Sequence, residues 1–357
     1  MDSPNLLSKF LPGVKAGSSV LVAMSGGVDS SVAAALLKEA GLQVIGAHMI
    51  CWEGCDLKEE KRDALRVALQ LDIPFLSFDF RDGYRERVFD YMIREYAEGK
   101  TPNPDVMCNR EIKFGLFLEK ARQLGIDYVA TGHYARLDQF EVTPVLSEAV
   151  DKGKDQSYFL WAIDRSHLSH ALFPLGNYTK REVREIARRL SLPTADKKDS
   201  QGLCFVGKVN FGHFLRDYLP CHEGLVTNSQ GKILGKHDGV AFYTIGQRHG
   251  LAIGGVSPYY VAARRLDTNT LIVGEGANDP VLFKNEIRVG SLNWLSEFRA
   301  GKCEVRIRYR QPKVAALLED EGSRVHVLFD TPQRGVAPGQ SAVFYLQERV
   351  LGGGIIL

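Results

Sequence analysis

The fold is decided by residues 19–30, which read SVLVAMSGGVDS. The apolar run Ser19–Met24 predicts a strand, and the helical pattern Asp29–Ala40 follows two glycines in the loop between them. Glycines allow a tight turn and a close approach to an anion, while the start of a helix presents backbone N–H groups and a positive dipole end. The loop therefore predicts a phosphate-binding site. The alternative is a plain strand-to-helix turn in which Asp29 or Ser30 caps the helix.

Two familiar phosphate-binding motifs are absent from this loop. It carries neither the G-x-x-x-x-G-K-[ST] sequence of P-loop nucleotide hydrolases nor the G-x-G-x-x-G sequence of dinucleotide-binding folds. The loop therefore indicates a phosphate site of another class.

Strand-like and helix-like segments alternate on the carboxyl side of this loop. They are Gln43–Met49, 57–71, Pro74–Phe80, a helical stretch through Tyr96, 109–124, Tyr128–Thr131 and Thr179–Leu190, the last with a capping box formed by Thr179 and Glu182. Parallel strands joined by helices need right-handed crossovers, which cover both faces of the sheet. We therefore expect an α/β fold built on a parallel sheet.

The sequence changes in character beyond about residue 207. Turn pairs recur about every eight to twelve residues and separate short β-rich runs such as Val240–Ile245 and Tyr259–Ala263. This spacing is typical of small antiparallel β domains. We expect boundaries near residues 207 and 285, which divide the chain into domains 1–207, 208–284 and 285–357.

The overall composition excludes several protein classes. The 357 residues include 45 Lys plus Arg, 43 Asp plus Glu, 35 Gly and 14 Pro, and 45% are hydrophobic, which excludes collagenous, disordered and disulfide-scaffold proteins. The formal net charge of +2 favours no partner by itself. No apolar run approaches the roughly 18 residues of a membrane helix, and residues 1–13 do not resemble a secretion signal. We expect a cytoplasmic protein with no membrane partner.

The six cysteines are too scattered for a disulfide framework, but two stand in loops suited to chemistry. Cys108 follows the proline-stiffened loop 101–105 and precedes a predicted helix, whose dipole would lower the pKa of its thiol. Cys204 lies in a polar, glycine-containing loop. Either thiol could instead be a buried small hydrophobic residue. Cys51 and Cys55 form a CxxxC pair that could bind a metal or form a labile disulfide.

Basic residues are concentrated in two segments. Within 305–310, which reads VRIRYR, strand alternation would place Arg306, Arg308 and Arg310 on one face. A second basic group lies within 180–198. Spread positive charge of this kind suits contacts with the phosphates of an RNA. The alternative for the first segment is the solvated face of a sheet.

Several separated sequence blocks resemble the tRNA-specific 2-thiouridylases, which are N-type ATP pyrophosphatases. The blocks follow the family's order over nearly the whole chain: SGGVDS (25–30), NPDVMCNREIKFG (103–115), ATGHYA (130–135), KDQSYFLW (154–161), FPLGNYTKREVR (173–184), DSQGLCFVG (199–207), GQRHGL (246–251) and PGQSAVFY with LGGGII (338–345 and 351–356). The resemblance implies a pyrophosphate-loop domain of the adenine nucleotide α-hydrolase type, a small β-rich central domain and a C-terminal β-barrel that binds tRNA. The CxxxC pair departs from the family's usual pattern.

The resemblance implies ATP-dependent 2-thiolation of the wobble uridine, position 34 of tRNA. ATP, with Mg²⁺, would adenylate the C2 carbonyl oxygen and so create AMP as a leaving group. A persulfide on Cys204 would attack C2, and Cys108 would then release 2-thiouridine and leave a Cys108–Cys204 disulfide. Asp105 would act as a general acid or base, although it could instead be a turn residue after Pro104.

The same resemblance implies the binding residues and the partners. The nucleotide would contact Ala23, Met24, Ser25, Gly26, Gly27, Val28, Asp29, Ser30, Met49 and Gly132. The target base and the rest of the tRNA would contact Asn103, Pro104, Asp105, His133, Lys154, Asp155, Gln156, Arg308, Tyr309 and Gln340. The sulfur would come from a cysteine desulfurase or a sulfur-relay protein.

Three alternatives to this reaction stay open at the level of sequence. Asp105, Cys108 and Cys204 could together hold an iron–sulfur cluster with one open iron, although their spacing contains no CxxC. Another ATP pyrophosphatase, such as an amidating or lysidine-forming enzyme, would need an amine donor and no thiols. A nucleotide sensor with the same fold would bind ATP without releasing pyrophosphate.

Overall fold

The amino-terminal part of the chain forms a five-stranded sheet that is parallel throughout. The computed structural model describes residues 13–52, 56–140, 143–198, 211–251, 253–254 and 257–357. The strand order is β3-β2-β1-β4-β7, with bounds β1 Ser19–Ala23, β2 Gln43–Ile50, β3 Phe75–Asp79, β4 Tyr128–Ala130 and β7 Ala171–Leu172. The central strand β1 is buried from Val20 onward, as expected of a strand covered on both faces. The predicted α/β fold is confirmed.

Helices connect these strands at nearly the predicted positions. The described helices are α1 Val28–Glu39, α2 Asp56–Gln70, α3 Arg81–Tyr84, α4 Asp90–Ala97, α5 Pro104–Met107, α6 Phe117–Gln123, α7 Arg165–Leu168, α8 Lys180–Arg189 and α9 Phe211–Arg216. Two π-helical segments, Arg85–Phe89 and Cys108–Leu116, join α3 to α4 and α5 to α6. The capping box of Thr179 and Glu182 is confirmed at the start of α8.

One helix start was predicted too late in the chain. The helix expected from residue 109 begins at Pro104, because Asn103 caps it through a hydrogen bond from the Val106 amide and proline suits the first helical position. Cys108 therefore lies one turn inside the helix rather than just before it.

The central part of the chain is a four-stranded sheet, and it is mixed rather than antiparallel as predicted, because one of its three strand pairings is parallel. Its order is β10-β11-β8-β9, with bounds β8 Gly224–Asn228, β9 Ile233–His237, β10 Tyr259–Arg265 and β11 Thr270–Glu275. The strand predicted at Val240–Ile245 is wrong, because Val240–Phe242 form a short 3₁₀ helix. The apolar side chains of Val240 and Tyr243 contribute to the core of this region without joining a strand.

The carboxyl-terminal part closes into a six-stranded antiparallel barrel. Its strands are β12 Phe283–Trp294, β13 Gly301–Arg306, β14 Val314–Asp320, β15 Val325–Arg334, β16 Ser341–Leu346 and β17 Arg349–Ile356. They follow the order β12-β15-β14-β13-β16-β17, and pairing of β12 with β17 closes the ring. A hairpin from the amino-terminal half, β5 (Ala135–Phe140) and β6 (Thr143–Glu148), extends the same sheet beside β17. Nothing in the sequence pattern indicates that this hairpin joins the barrel sheet.

The predicted arginine face of 305–310 is wrong. Strand β13 ends at Arg306, and Arg310 adopts a left-handed conformation with φ of 64°. Arg306 points into the protein and forms ion pairs with Glu148 and Asp155. Alternation therefore stops before it can align the three arginines.

The largest hydrophobic core joins the amino-terminal part to the barrel. It contains the buried strands of the parallel sheet together with Val343, Tyr345 and Val350 from the barrel. The barrel and the central sheet each have a further core of their own. No helix in the described part of the chain is long and apolar enough to cross a membrane.

Candidate active site

The glycine-rich loop between β1 and α1 has a conformation that requires glycine. Gly26 has a φ of 72°, and a Cβ atom there would lie 2.3 Å from the Glu60 carbonyl oxygen. The Ser25 amide donates a hydrogen bond to Ser30 Oγ at 3.2 Å, so the loop is closed by its own ends. Gly27 is the residue before the first turn of α1, and no side chain caps that turn. The plain-cap alternative is therefore not observed, and the helix start faces the loop.

Asp29, in the first turn of α1, has two polar partners from later in the chain. Lys180 Nζ donates to both of its carboxylate oxygens at 2.7 and 2.8 Å, and the Tyr134 hydroxyl donates to Oδ1 at 2.8 Å. Lys180 is the first residue of α8, which the Thr179 capping box holds in place. A residue that the sequence pattern groups with a basic surface therefore lies beside the glycine-rich loop, in contact with Asp29.

The loop after β4 packs directly on the start of α1. A Cβ atom on Gly132 would lie 2.7 Å from the Ser30 backbone nitrogen, so only glycine permits this approach. Ala23, Met24 and Met49 are buried at the carboxyl ends of β1 and β2, next to the same loop. The residues predicted to contact a nucleotide are therefore brought together at one edge of the sheet.

His133 is a buried side chain between the phosphate loop and the helix that carries Cys108. Its Nδ1 lies 2.7 Å from Thr131 Oγ1, and its Nε2 lies 3.5 Å from Lys113 Nζ. Burial, assisted by the charge of Lys113, holds the pKa of His133 well below its usual value. The imidazole is therefore neutral near pH 7. Because Lys113 belongs to the π-helical segment that begins at Cys108, this contact links the two predicted parts of the site.

Cys108 and Asp105 lie on the same helix, three residues apart. Cys108 has no exposed surface, whereas Asp105 is half-buried. Residues three apart on a helix are neighbours on one side. Asn109 follows with its amide donating to the Phe159 carbonyl at 3.0 Å, which ties this helix to the 154–161 block.

Two of the cysteines singled out in the sequence lie in segments that the structure does not describe. Cys204 and Cys55 lie outside the described residues. Cys51 is buried at the end of β2. Within the described ranges, no group of three or more His, Cys, Asp or Glu residues could hold a metal ion.

The 154–156 block predicted to touch tRNA is held inward by hydrogen bonds. The Asp155 carboxylate accepts from the amides of Ala149 and Ser157 and from Arg306, and burial raises the pKa of this carboxyl group. Gln156 accepts the Tyr134 amide at 3.0 Å, and Lys154 is half-buried. These contacts connect the block to both the sheet and the barrel.

Arg308, Tyr309 and Gln340 also make internal contacts. Arg308 Nη2 donates to the carbonyls of Ile245 and Gly335, and burial lowers the pKa of its guanidinium. The Tyr309 ring lies 4.4 Å from that of Phe159. Gln340 Nε2 donates to the Thr101 carbonyl at 2.8 Å. The three residues lie where the barrel meets the other two parts of the chain.

Sequence reasoning missed several side chains that organise this site. Lys180 and Tyr134, which hold Asp29, stand inside two of the resembling blocks, but nothing in the sequence pairs either of them with Asp29. Alternation along 305–310 predicts an exposed position for Arg306, which instead holds Asp155. A sequence pattern carries no signal for such pairs because the partners lie more than 100 residues apart.

Comparisons with known proteins cover the whole arrangement. Residues 18–208 match the family described as tRNA methyl transferase HUP domain, residues 212–275 the tRNA methyl transferase PRC-barrel domain, and residues 284–356 the aminomethyltransferase beta-barrel domain. A tRNA-specific 2-thiouridylase MnmA of Geobacillus thermodenitrificans is 44% identical over 348 residues, and one of Bacillus subtilis is 46% identical over 350. Each alignment covers 94% of both chains.

Solved structures give more distant matches. The U34-tRNA thiolase NcsA from Methanococcus maripaludis, solved with its [4Fe-4S] cluster, is 16% identical with a TM-score of 0.40, covering 60% of this chain and 69% of that one. A 4-thiouridine synthetase–RNA complex with bound ATP is 18% identical with a TM-score of 0.35, covering 52% of this chain and 44% of that one.

Proposed function

This chain belongs to the tRNA-specific 2-thiouridylase family, and we propose from that premise that it catalyses the ATP-dependent 2-thiolation of uridine 34 in tRNA. The observation that carries the proposal is the juxtaposition of a phosphate loop with the helix of Asp105 and Cys108. Gly132 packs on the loop, and the adjacent His133 contacts Lys113 of that helix. A nucleotide bound at the loop would then lie near the helix that carries the Cys108 thiol.

The phosphate loop would bind the triphosphate of ATP. The start of α1 supplies backbone N–H groups and a positive dipole end, and Gly26 and Gly132 keep Cβ atoms out of the space beside it. The Asp29 carboxylate is a hard oxygen ligand that suits Mg²⁺, which when bound would neutralise phosphate charge. Lys180 would balance the charge of Asp29 and face the same phosphates.

The first chemical step would be adenylation of the base. The uracil O2 atom attacks the α-phosphorus of ATP, and pyrophosphate leaves. The N3 proton of the uracil must also leave to keep the ring neutral, and we assign its acceptance to the Asp105 carboxylate. The neutral imidazole of His133 would lie near the base as a hydrogen-bonding group.

The second step would transfer sulfur. The terminal sulfur of a Cys204 persulfide attacks C2 of the base, and AMP leaves with the former O2 atom. The Cys108 thiolate then attacks Sγ of Cys204, which breaks the remaining sulfur–sulfur bond to 2-thiouridine and forms a Cys108–Cys204 disulfide. A thiol reductant must supply two electrons before the next turnover.

The tRNA would present its uridine unstacked, because C2 cannot react inside a base stack. Asn103, Pro104, Asp105 and His133 would surround the base. The proposed tRNA side of the site consists of Lys154, Asp155, Gln156, Arg308, Tyr309 and Gln340. Because the Asp155 carboxylate is buried, Asp155 would support this surface from inside the protein.

We also propose a cysteine desulfurase or relay protein as sulfur donor, a cytoplasmic location, and domains 1–207, 208–284 and 285–357.

The iron–sulfur alternative is not favoured. The thiolase solved with a [4Fe-4S] cluster is a distant match, whereas the 2-thiouridylases are 44–46% identical over nearly the full chain. The description of the matching family names methyl transfer, but a methyl-transfer reaction would not need a phosphate-binding loop. The persulfide route therefore remains our proposal.

Nucleoside mass spectrometry tests the proposed reaction. Unmodified tRNA is incubated without oxygen with ATP, Mg²⁺ and a persulfide source, using the wild type, Cys204→Ser and Cys108→Ser. We expect sulfur to replace oxygen at uridine with the wild type alone, and tRNA-dependent pyrophosphate release with all three. Full thiolation by both serine variants would overturn the thiol roles. Pyrophosphate release without any thiolation by the wild type would favour an amine-donor ligase, and nucleotide binding without pyrophosphate release would favour a sensor.

A further inference from the structure

Thr101, seven residues before Cys108, is held through every one of its polar groups by distant parts of the chain. Its amide donates to the Pro338 carbonyl at 2.8 Å, and its carbonyl accepts from Gln340 Nε2 at 2.8 Å. Its hydroxyl accepts from Arg264 Nη2 at 2.9 Å. Pro338 and Gln340 belong to the barrel region, and Arg264 lies on β10 of the central sheet. All three parts of the chain therefore meet at this residue.

Arg264 uses both of its terminal nitrogens for hydrogen bonds at this junction. Its second terminal nitrogen donates to the Tyr243 carbonyl at 2.9 Å, and among the described residues it has no ion-pair partner. Its Nε is buried without a hydrogen-bond partner, and burial lowers the pKa of its guanidinium to about 10. Keeping an arginine partly desolvated with only neutral acceptors is unfavourable. The hydrogen bonds to Thr101 and to the Tyr243 carbonyl offset part of this penalty.

The segment after Thr101 is stiff enough to transmit its position. Pro102 and Pro104 fix two φ angles, and Asn103 caps the helix that Pro104 begins. On the other side, a Cβ atom on Gly339 would lie 2.7 Å from the Thr101 amide nitrogen, so the barrel backbone abuts the loop. Asp105 and Cys108 follow on the capped helix. A shift of Thr101 would therefore move both side chains together.

We propose that Arg264 of the central sheet and Gln340 of the barrel are positioning residues that place Asp105 and Cys108 for thiolation by holding Thr101. This inference rests on the proposed function. The central sheet would then contribute to the reaction through the side chain of Arg264. Gln340 would also have a role on the loop, besides its proposed place on the tRNA side of the site.

Isosteric changes at Thr101 provide the most direct test. Thr101→Val removes the hydroxyl acceptor with little change of shape, whereas Thr101→Ser retains it. Arg264→Met removes the donor, and Arg265→Met is the matched control because Arg265 is the next residue on β10 and is exposed. For each variant, kcat and KM are measured for tRNA thiolation and for ATP, together with the thermal unfolding temperature.

We expect Thr101→Val and Arg264→Met to lower the kcat for thiolation about tenfold or more, since small displacements of reacting groups have effects of this size. The KM for ATP should change less than about twofold, because the phosphate loop is held by other contacts. Thr101→Ser and Arg265→Met should retain the wild-type kcat. The double variant Thr101→Val/Arg264→Met should be no worse than Arg264→Met alone, because the hydrogen bond that Thr101→Val removes is already lost in Arg264→Met.

Gln340→Ala separates positioning from tRNA contact. A positioning role predicts a lower kcat with an unchanged KM for tRNA, whereas a role in tRNA binding predicts the reverse. The inference is overturned if Thr101→Val keeps the wild-type kcat, or if these variants lower only the unfolding temperature. Should Arg264→Met fail to fold, Thr101→Val still decides the question. Failure of the wild type to thiolate tRNA would instead overturn the proposed function.

Discussion

The phosphate loop and the Thr101–Cys108 segment meet in one site but are held in place differently. The phosphate loop is closed by hydrogen bonds among Ser25, Gly27 and Ser30, all within six residues. The Thr101–Cys108 segment is anchored through Arg264, Pro338 and Gln340, which lie 163 to 239 residues away in the chain.

This difference separates two kinds of structural information. A loop stabilised by hydrogen bonds among its own residues can be recognised from the local sequence, because its geometry follows from glycine conformations and the adjoining helix. The local sequence of a segment that is held by distant residues resembles that of an ordinary turn, since the residues that fix it lie elsewhere in the chain. Four substitutions test how much each of these contacts contributes.

The largest effect is expected from Gly26→Ala. The alanine Cβ would lie 2.3 Å from the Glu60 carbonyl oxygen at a left-handed φ, so the loop must move. We expect tRNA-dependent pyrophosphate release to fall about 10²-fold or more. Gly41→Ala is the control, because Gly41 also has a positive φ but no atom lies within 4 Å of the added carbon. Equal activity of the two variants would show that the loop does not need its local geometry.

The next effect is on stability and comes from Arg306→Leu. This change leaves the carboxylates of Glu148 and Asp155, 4% and 2% exposed, without the arginine that bonds to both. We expect the free energy of unfolding to fall by about 3 kcal/mol in chemical denaturation. Arg310→Gln should change it by less than about 0.5 kcal/mol, because Arg310 is exposed. A loss of tRNA affinity in both variants without a loss of stability would restore the exposed-face interpretation of 305–310.

A smaller effect is expected from Lys180→Met. The change removes the ammonium group from both oxygens of Asp29, so an uncompensated negative charge would face the triphosphate. We expect the KM for ATP to rise about tenfold, which corresponds to about 1.4 kcal/mol. Arg181→Met, at the next and highly exposed position, should leave this KM unchanged. An unaltered KM in the Lys180 variant would remove this lysine from the phosphate site.

The smallest effect concerns pH and His133, which connects the two regions. Its folded-state pKa is lowered by burial, so below about pH 6.5 the unfolded chain binds a proton that the folded protein does not. The free energy of unfolding should therefore decrease as the pH falls from about 7 to 5.5. His133→Gln should reduce that decrease by up to about 1 kcal/mol, and exposed His222→Gln should not. Identical pH profiles for all three proteins would mean that His133 titrates normally.

Much of the fold could be predicted because its signals are local. The alternation of β1 to β4 with helices, the capping box of α8 and the phosphate loop were all visible in short windows. The prediction failed at Val240–Ile245, where β-rich residues form a 3₁₀ helix whose side chains fill a core. It failed again at 305–310, where ion pairs and aromatic packing ended the strand early. Tertiary contacts outweighed local propensity in both places.

The parallel-sheet class, the glycine-rich loop and the resemblance to the 2-thiouridylases all follow from the amino-acid sequence alone. Each depends on neighbouring residues whose conformational limits are intrinsic, such as the positive φ of Gly26 or the fixed φ of Pro104. Only the tertiary structure paired Lys180 with Asp29, turned Arg306 inward, and brought Arg264 and Gln340 onto Thr101. These pairings depend on which distant surfaces the folded chain buries against one another. The spacing of residues along the chain does not predict such contacts.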